Sequence, residues 1–145
     1  MAQMTAKGKT SRVNRATPAA AATGVSAYCR DLDRWPRSWM GLEKDLPPGE
    51  QLLTCLRPFI EYLATTTLTP KTIRQHIDNL WLLGGEIIRD LHEDPPLRKV
   101  AVEKLLRKVV HEDGGPLIHN GSEDEQCSFE GTCRKLHRFL SQTQY

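Results

Sequence analysis

Cys133 and His137 stand four residues apart in a stretch that reads as helix, so a thiol and an imidazole share one face, one turn apart. That spacing suits two chemistries. The pair would serve as two ligands of a zinc ion, with Cys127 nearby and His119 from the preceding loop to complete the set. Alternatively, the imidazole would activate the thiol as a nucleophile. The surrounding pattern favours neither. The chain has no CxxC pair and no HExxH, and position 133 falls where an apolar helical stripe needs a small hydrophobe. Gly114-Gly115-Pro116 matches no phosphate-cradling loop. The paired acids Glu93-Asp94 and Glu112-Asp113 stand at helix ends, where capping or solvent accounts for them. The expectation is a protein that is not an enzyme and holds neither metal nor cofactor.

The other chemistry-bearing residues are basic. Lys71 and Arg74 stand in the longest helical pattern, off its apolar stripe. Lys104 and Lys108 lie with Arg98, Lys99 and Arg107 on the outer side of a later one. That second group reads either as a solvated face or as a ridge that contacts phosphates. Residues 1–27 carry Lys7, Lys9, Arg12 and Arg15 and no acid, a solubilising tail or a cationic arm for a nucleic acid. Net charge over the chain is only +2, and residues 47–145 hold 12 basic against 14 acidic side chains. The body is therefore mildly acidic, which any nucleic-acid reading has to meet.

These side chains must be positioned by helices. The run Leu68–Leu91 opens with Thr69 as a cap and Pro70 at the first helical position. Ile73, Ile77, Leu80, Ile87 and Leu91 recur along one face. Gly84-Gly85 interrupt its middle, either to admit a close neighbour or as a kink. A preceding helix over 49–66 carries Leu52, Leu53, Leu56, Ile60 and Leu63, with Pro58 expected to kink it near Thr54. Pro47-Pro48 is expected to stop the chain before it. The short loop between the two makes them a hairpin. A third helix over about 96–111 turns Val100, Leu105, Leu106, Val109 and Val110 inward. The last begins at Ser122, whose capping box is completed by Glu125, and buries Phe129, Cys133, Leu136 and Leu140.

Residues 28–48 hold Trp35 and Trp39 at helical spacing. They read as a lead-in that packs onto the body, or as aromatic anchors for a protein partner.

The segment Glu61–Leu83, EYLATTTLTPKTIRQHIDNLWLL, resembles the SAM-like core-binding domain that precedes the catalytic domain of tyrosine recombinases and phage integrases. The likeness rests on a helix ending in Tyr62-Leu63, a short loop, and the start Leu68-Thr69-Pro70-Lys71-Thr72-Ile73-Arg74-Gln75-His76. It extends over about Leu52–Leu91. It implies crossed helical hairpins that clamp double-stranded DNA, with Lys71, Arg74, Gln75 and Asn79 towards the duplex. No His-x-x-Arg box follows, so recombinase activity is not implied.

The expectation is thus an all-α, orthogonal four-helix bundle at 49–145, made of two helical hairpins, behind a disordered tail and a tryptophan-bearing lead-in. Its function would be that of a non-catalytic DNA-binding or DNA-associated accessory module. The alternative is a helical protein-interaction adaptor using Trp35 and Trp39. Cys29, Cys55, Cys127 and Cys133 lack a secreted-scaffold spacing and suit free thiols in the cytoplasm. No apolar run approaches the length of a membrane span.

Overall fold

The structure, a computed structural model, describes residues 24–142. Most of the basic tail, with its proposed arm, lies outside the described residues, as does Tyr145. The fold is all-α. Among the described residues there are five α-helices and no strands: α1 Trp35–Trp39, α2 Leu46–Ala64, α3 Pro70–Glu93, α4 Val102–Val109 and α5 Glu123–Gln142. None is long and apolar enough to cross a membrane. α2 and α3 form the expected hairpin; α4 lies against α2, and α5 lies against α3.

Two boundaries move for one reason, the ease with which proline enters a first turn. Pro47-Pro48 does not stop the chain: α2 begins at Leu46 and takes both prolines in its first turn. Pro95-Pro96 starts a 3-10 turn, Pro95–Lys99, rather than the third α-helix. Val100 and Ala101 are then extended, so α4 begins at Val102, and Val100 is exposed instead of inward. Helical structure runs unbroken through Pro58 of α2, and that residue is exposed.

The caps follow the expected chemistry. The Thr69 hydroxyl accepts from the Thr72 amide at 3.2 Å. Ser122 Oγ accepts from the Glu125 amide at 3.1 Å while Glu125 returns a carboxylate to the Ser122 amide at 2.8 Å.

One core runs through the molecule. α2 contributes Leu52, Leu56, Phe59, Ile60 and Leu63; α3 contributes Ile73, Ile77, Leu80 and Ile87; α5 contributes Phe129 and Leu136. Each such residue, fully buried, contributes about 1.5–3 kcal/mol. Leu32, Trp35 and Trp39 belong to the same core, so the lead-in is part of the fold rather than a separate segment. Gly24–Ala27, the end of the stretch expected to be disordered, forms a 3-10 turn whose Val25 packs on that core.

Candidate nucleic-acid interface

The two helices that carry most of the charge sort it along their length. The first two turns of α3 hold Lys71 and Arg74 and no acid; residues 131–142 of α5 hold Arg134, Lys135 and Arg138 and no acid. Asp78 follows in the third turn of α3; the far halves are net acidic, with Glu86, Asp90 and Glu93 against Arg89 on α3 and Glu123, Asp124, Glu125 and Glu130 on α5. The helices run antiparallel, because His76 meets Thr132 while Asn79 meets Ser128. Basic half therefore lies beside basic half, and acidic beside acidic.

The titration of neighbouring groups carries the imprint. The His76 imidazole is pushed down by burial and then by the Lys135 ammonium. Asp90 is pushed up by burial and then by Glu86 and Glu93. At the acidic end, the Glu86 carboxylate accepts from the His119 amide at 3.1 Å and pairs with His119 Nδ1 at 2.9 Å, which fastens the loop before α5 to α3.

Contacts bring the remaining helix ends to the basic pole. Phe139 of α5 lies 5.3 Å from the rings of both Phe59 and Tyr62, near the end of α2. The Arg107 guanidinium of α4 donates to the Leu140 carbonyl at 3.2 Å. Lys104 and Lys108 flank Arg107 in sequence and are exposed. Lys71, Arg74 and Gln75 are exposed at the start of α3, and Arg74 lies over the Tyr28 ring at 5.8 Å.

Asn79 does not join them. It is only 3% exposed, and its amide donates to Thr132 Oγ1 at 2.9 Å, to Ser128 Oγ at 3.1 Å and to the Ser128 carbonyl at 3.2 Å. Four positions past Gln75, it turns towards α5, and it pins the register of α3 on α5. The two tryptophans also point inward: Trp35 is 3% and Trp39 8% exposed. Neither offers a surface to a partner. The Trp39 indole donates to the Trp81 carbonyl at 2.9 Å, and the Trp81 indole donates back to Ser38 Oγ at 2.8 Å.

The cysteine and histidine pattern assembles no site. Burial, then Glu130, pushes the Cys133 thiol up to about 12, against Arg134, so it is protonated and unsuited to attack. Gly115 covers it, while Cys127 is exposed. Among the described residues no group of three or more His, Cys, Asp or Glu is placed to hold a metal ion.

The most perturbed acid, Asp45, was not singled out by its sequence context. It is wholly buried, and its carboxylate accepts from Arg98 at 2.7 Å, from the Leu42 and Gly41 amides at 2.8 and 2.9 Å, and from His92 Nε2 at 2.7 Å. Burial alone would raise it. Arg98, the Leu42 amide, His92 and the Gly41 amide outweigh that and hold the carboxyl well below the usual range. All its partners are internal, so it ties the 41–45 turn to the end of α3 and to the Pro95–Lys99 turn. An open groove of about 430 Å³ lies between α2 and α4, lined by Glu50, Gln51, Thr54, Cys55, Val102 and Glu103 among others.

No protein family, no curated protein and no solved structure matches the chain.

Proposed function

We propose that this protein is a non-catalytic, DNA-binding accessory module of the cytoplasm, and that its basic pole lies along the phosphate backbone. The observation that carries the reading is the sorting of charge along α3 and α5. It eases the difficulty posed by a mildly acidic body, because seven of the 14 acids of residues 47–145 lie on the far halves of these two helices. Lys71, Arg74 and Gln75 stand at the start of α3, Lys135 and Arg138 in the last turns of α5, and Lys104 and Lys108 beside Arg107, which reaches the Leu140 carbonyl of α5. Attraction between these cations and phosphates releases counterions and needs no base contact.

The likeness of Glu61–Leu83 to recombinase core-binding domains supports the same reading. That segment forms the end of α2, a short loop and the start of α3, the arrangement the resemblance implies. Cytoplasmic residence is supported by Cys29, Cys55, Cys127 and Cys133, all free thiols.

The test is binding of the full chain to random duplex and single-stranded DNA at graded salt. Affinity is expected to fall steeply between about 50 and 200 mM. No binding of either form at low salt overturns the proposal.

A further inference from the structure

The proposed DNA-binding surface carries aromatic side chains that a plain duplex does not use. Tyr62 is 44% exposed, yet it is not loosely held. Its ring is stacked at 6.2 Å and 26° on Phe59, which is fully buried, and it is braced at 5.3 Å by half-buried Phe139. Its backbone is fixed as well: its carbonyl accepts from the Thr65 amide at 2.9 Å and from the Thr65 hydroxyl at 2.7 Å. A ring ordered in advance stacks with little further loss of freedom.

Basic residues, together with Glu61 and Glu103, stand on the elements that hold this ring. Arg138 precedes Phe139 in sequence, Lys135 lies one turn earlier, and Arg107 holds the carbonyl of Leu140. On the α3 side, Tyr28 lies beneath Arg74. A lone exposed tyrosine means little. An exposed, braced tyrosine on elements that also carry basic side chains is the combination that binds unpaired nucleotides, where phosphates meet the charges and base faces meet the rings. In a duplex the base faces are covered by their neighbours, and Tyr62 would have nothing to stack on.

Resting on the DNA reading above, we infer that the preferred ligand of the basic pole is single-stranded DNA, with a base stacked on Tyr62. The stacking is tolerant of sequence, because every base has a π-face.

The experiment measures fluorescence anisotropy of three labelled probes with the full chain at low salt: a short oligothymidylate, an abasic strand of equal length, and a blunt duplex. The oligothymidylate is expected to bind more tightly than the abasic strand of equal charge. Tyr62→Ala is expected to weaken oligothymidylate binding about tenfold or more and to leave the abasic strand unchanged. Tyr62→Leu, which keeps apolar packing against Phe59 and Phe139, is expected to lose the same amount; Tyr62→Phe is expected to retain binding. Helical circular dichroism reports whether each variant is folded. Equal binding of base-bearing and abasic strands, or no loss in the folded Tyr62→Leu protein, overturns the inference while salt-dependent binding keeps the DNA reading. Absence of binding to every probe overturns both.

Discussion

The indole of Trp39 fills the space that a side chain at position 84 would occupy. A Cβ built on Gly84 would clash with Cζ2, Cε2 and Cη2 of that ring, whereas one on Gly85 would meet it at 3.7 Å, an ordinary contact. The two glycines in the middle of α3 thus have different roles. Gly84 admits Trp39; Gly85 only borders it.

Opposite effects of one substitution follow. Alanine is the better helix former by about 1 kcal/mol. Gly84→Ala is nonetheless expected to destabilise by about 1–3 kcal/mol, because Trp39 must leave its place in the core. Gly85→Ala is expected to be neutral or to stabilise by up to about 1 kcal/mol. Urea midpoints of the two variants decide it; equal losses at both sites would disprove the role assigned to Trp39.

Asp45 is expected to be the acid whose loss costs most. Asp45→Asn leaves Arg98 facing a neutral group inside the fold, at a cost on the order of 3 kcal/mol. Asp33, with an exposed side chain paired to Arg57, is the control, and Asp33→Asn is expected to cost under about 0.5 kcal/mol. Because the folded carboxyl titrates below its unfolded value, its contribution is complete above about pH 4 and is lost as pH falls below that. Acid unfolding followed by circular dichroism should therefore be less steep in Asp45→Asn; an unchanged acid limb would count against the assignment.

Much of this fold is legible in the sequence, and the misses share a cause. Periodicity and caps place α2, α3 and α5, because their apolar faces and the Thr69 and Ser122 signals are local. Gly84 is flagged as unusual on the same grounds. The partner of Gly84 is not legible, since Trp39 lies 45 residues away and only tertiary packing joins them. Asp45 is missed for the same reason: Arg98 and His92 come from distant elements. Asn79 is misread because the resemblance turns it towards a duplex, whereas α3 meets α5 along a polar seam that only tertiary packing reveals. The charge sorting is written in the sequence, but it becomes an end-to-end separation only once α3 and α5 are known to run antiparallel.

His76 is expected to make stability fall at mildly acidic pH. Its Nδ1 lies 2.7 Å from Thr132 Oγ1, and burial followed by Lys135 pushes its titration below the ordinary histidine value. The fold therefore prefers the neutral ring. Stability is complete above about pH 6.5 and declines as pH falls through the lowered folded value. His76→Gln removes the titrating group, so its urea midpoint should change less between about pH 7 and 5 than that of the unsubstituted chain. Parallel curves for the two proteins would contradict this.

Lys71 and Arg74 are expected to act on DNA affinity without acting on the fold. Both are exposed at the start of α3, and Arg74 rests on the half-buried Tyr28 ring. Lys71→Gln is expected to lower the salt slope of DNA binding by about 1, the value for one lost phosphate contact. Arg74→Glu, which reverses charge and leaves the Tyr28 ring, is expected to weaken binding further at low salt. Arg89→Glu makes the same charge change on the acidic half of the same helix, and there it should alter binding little. The comparison separates a located interface from a net-charge effect, since Arg74→Glu and Arg89→Glu shift the total charge equally. Equal losses in those two variants would mean that the basic pole is not where DNA lies.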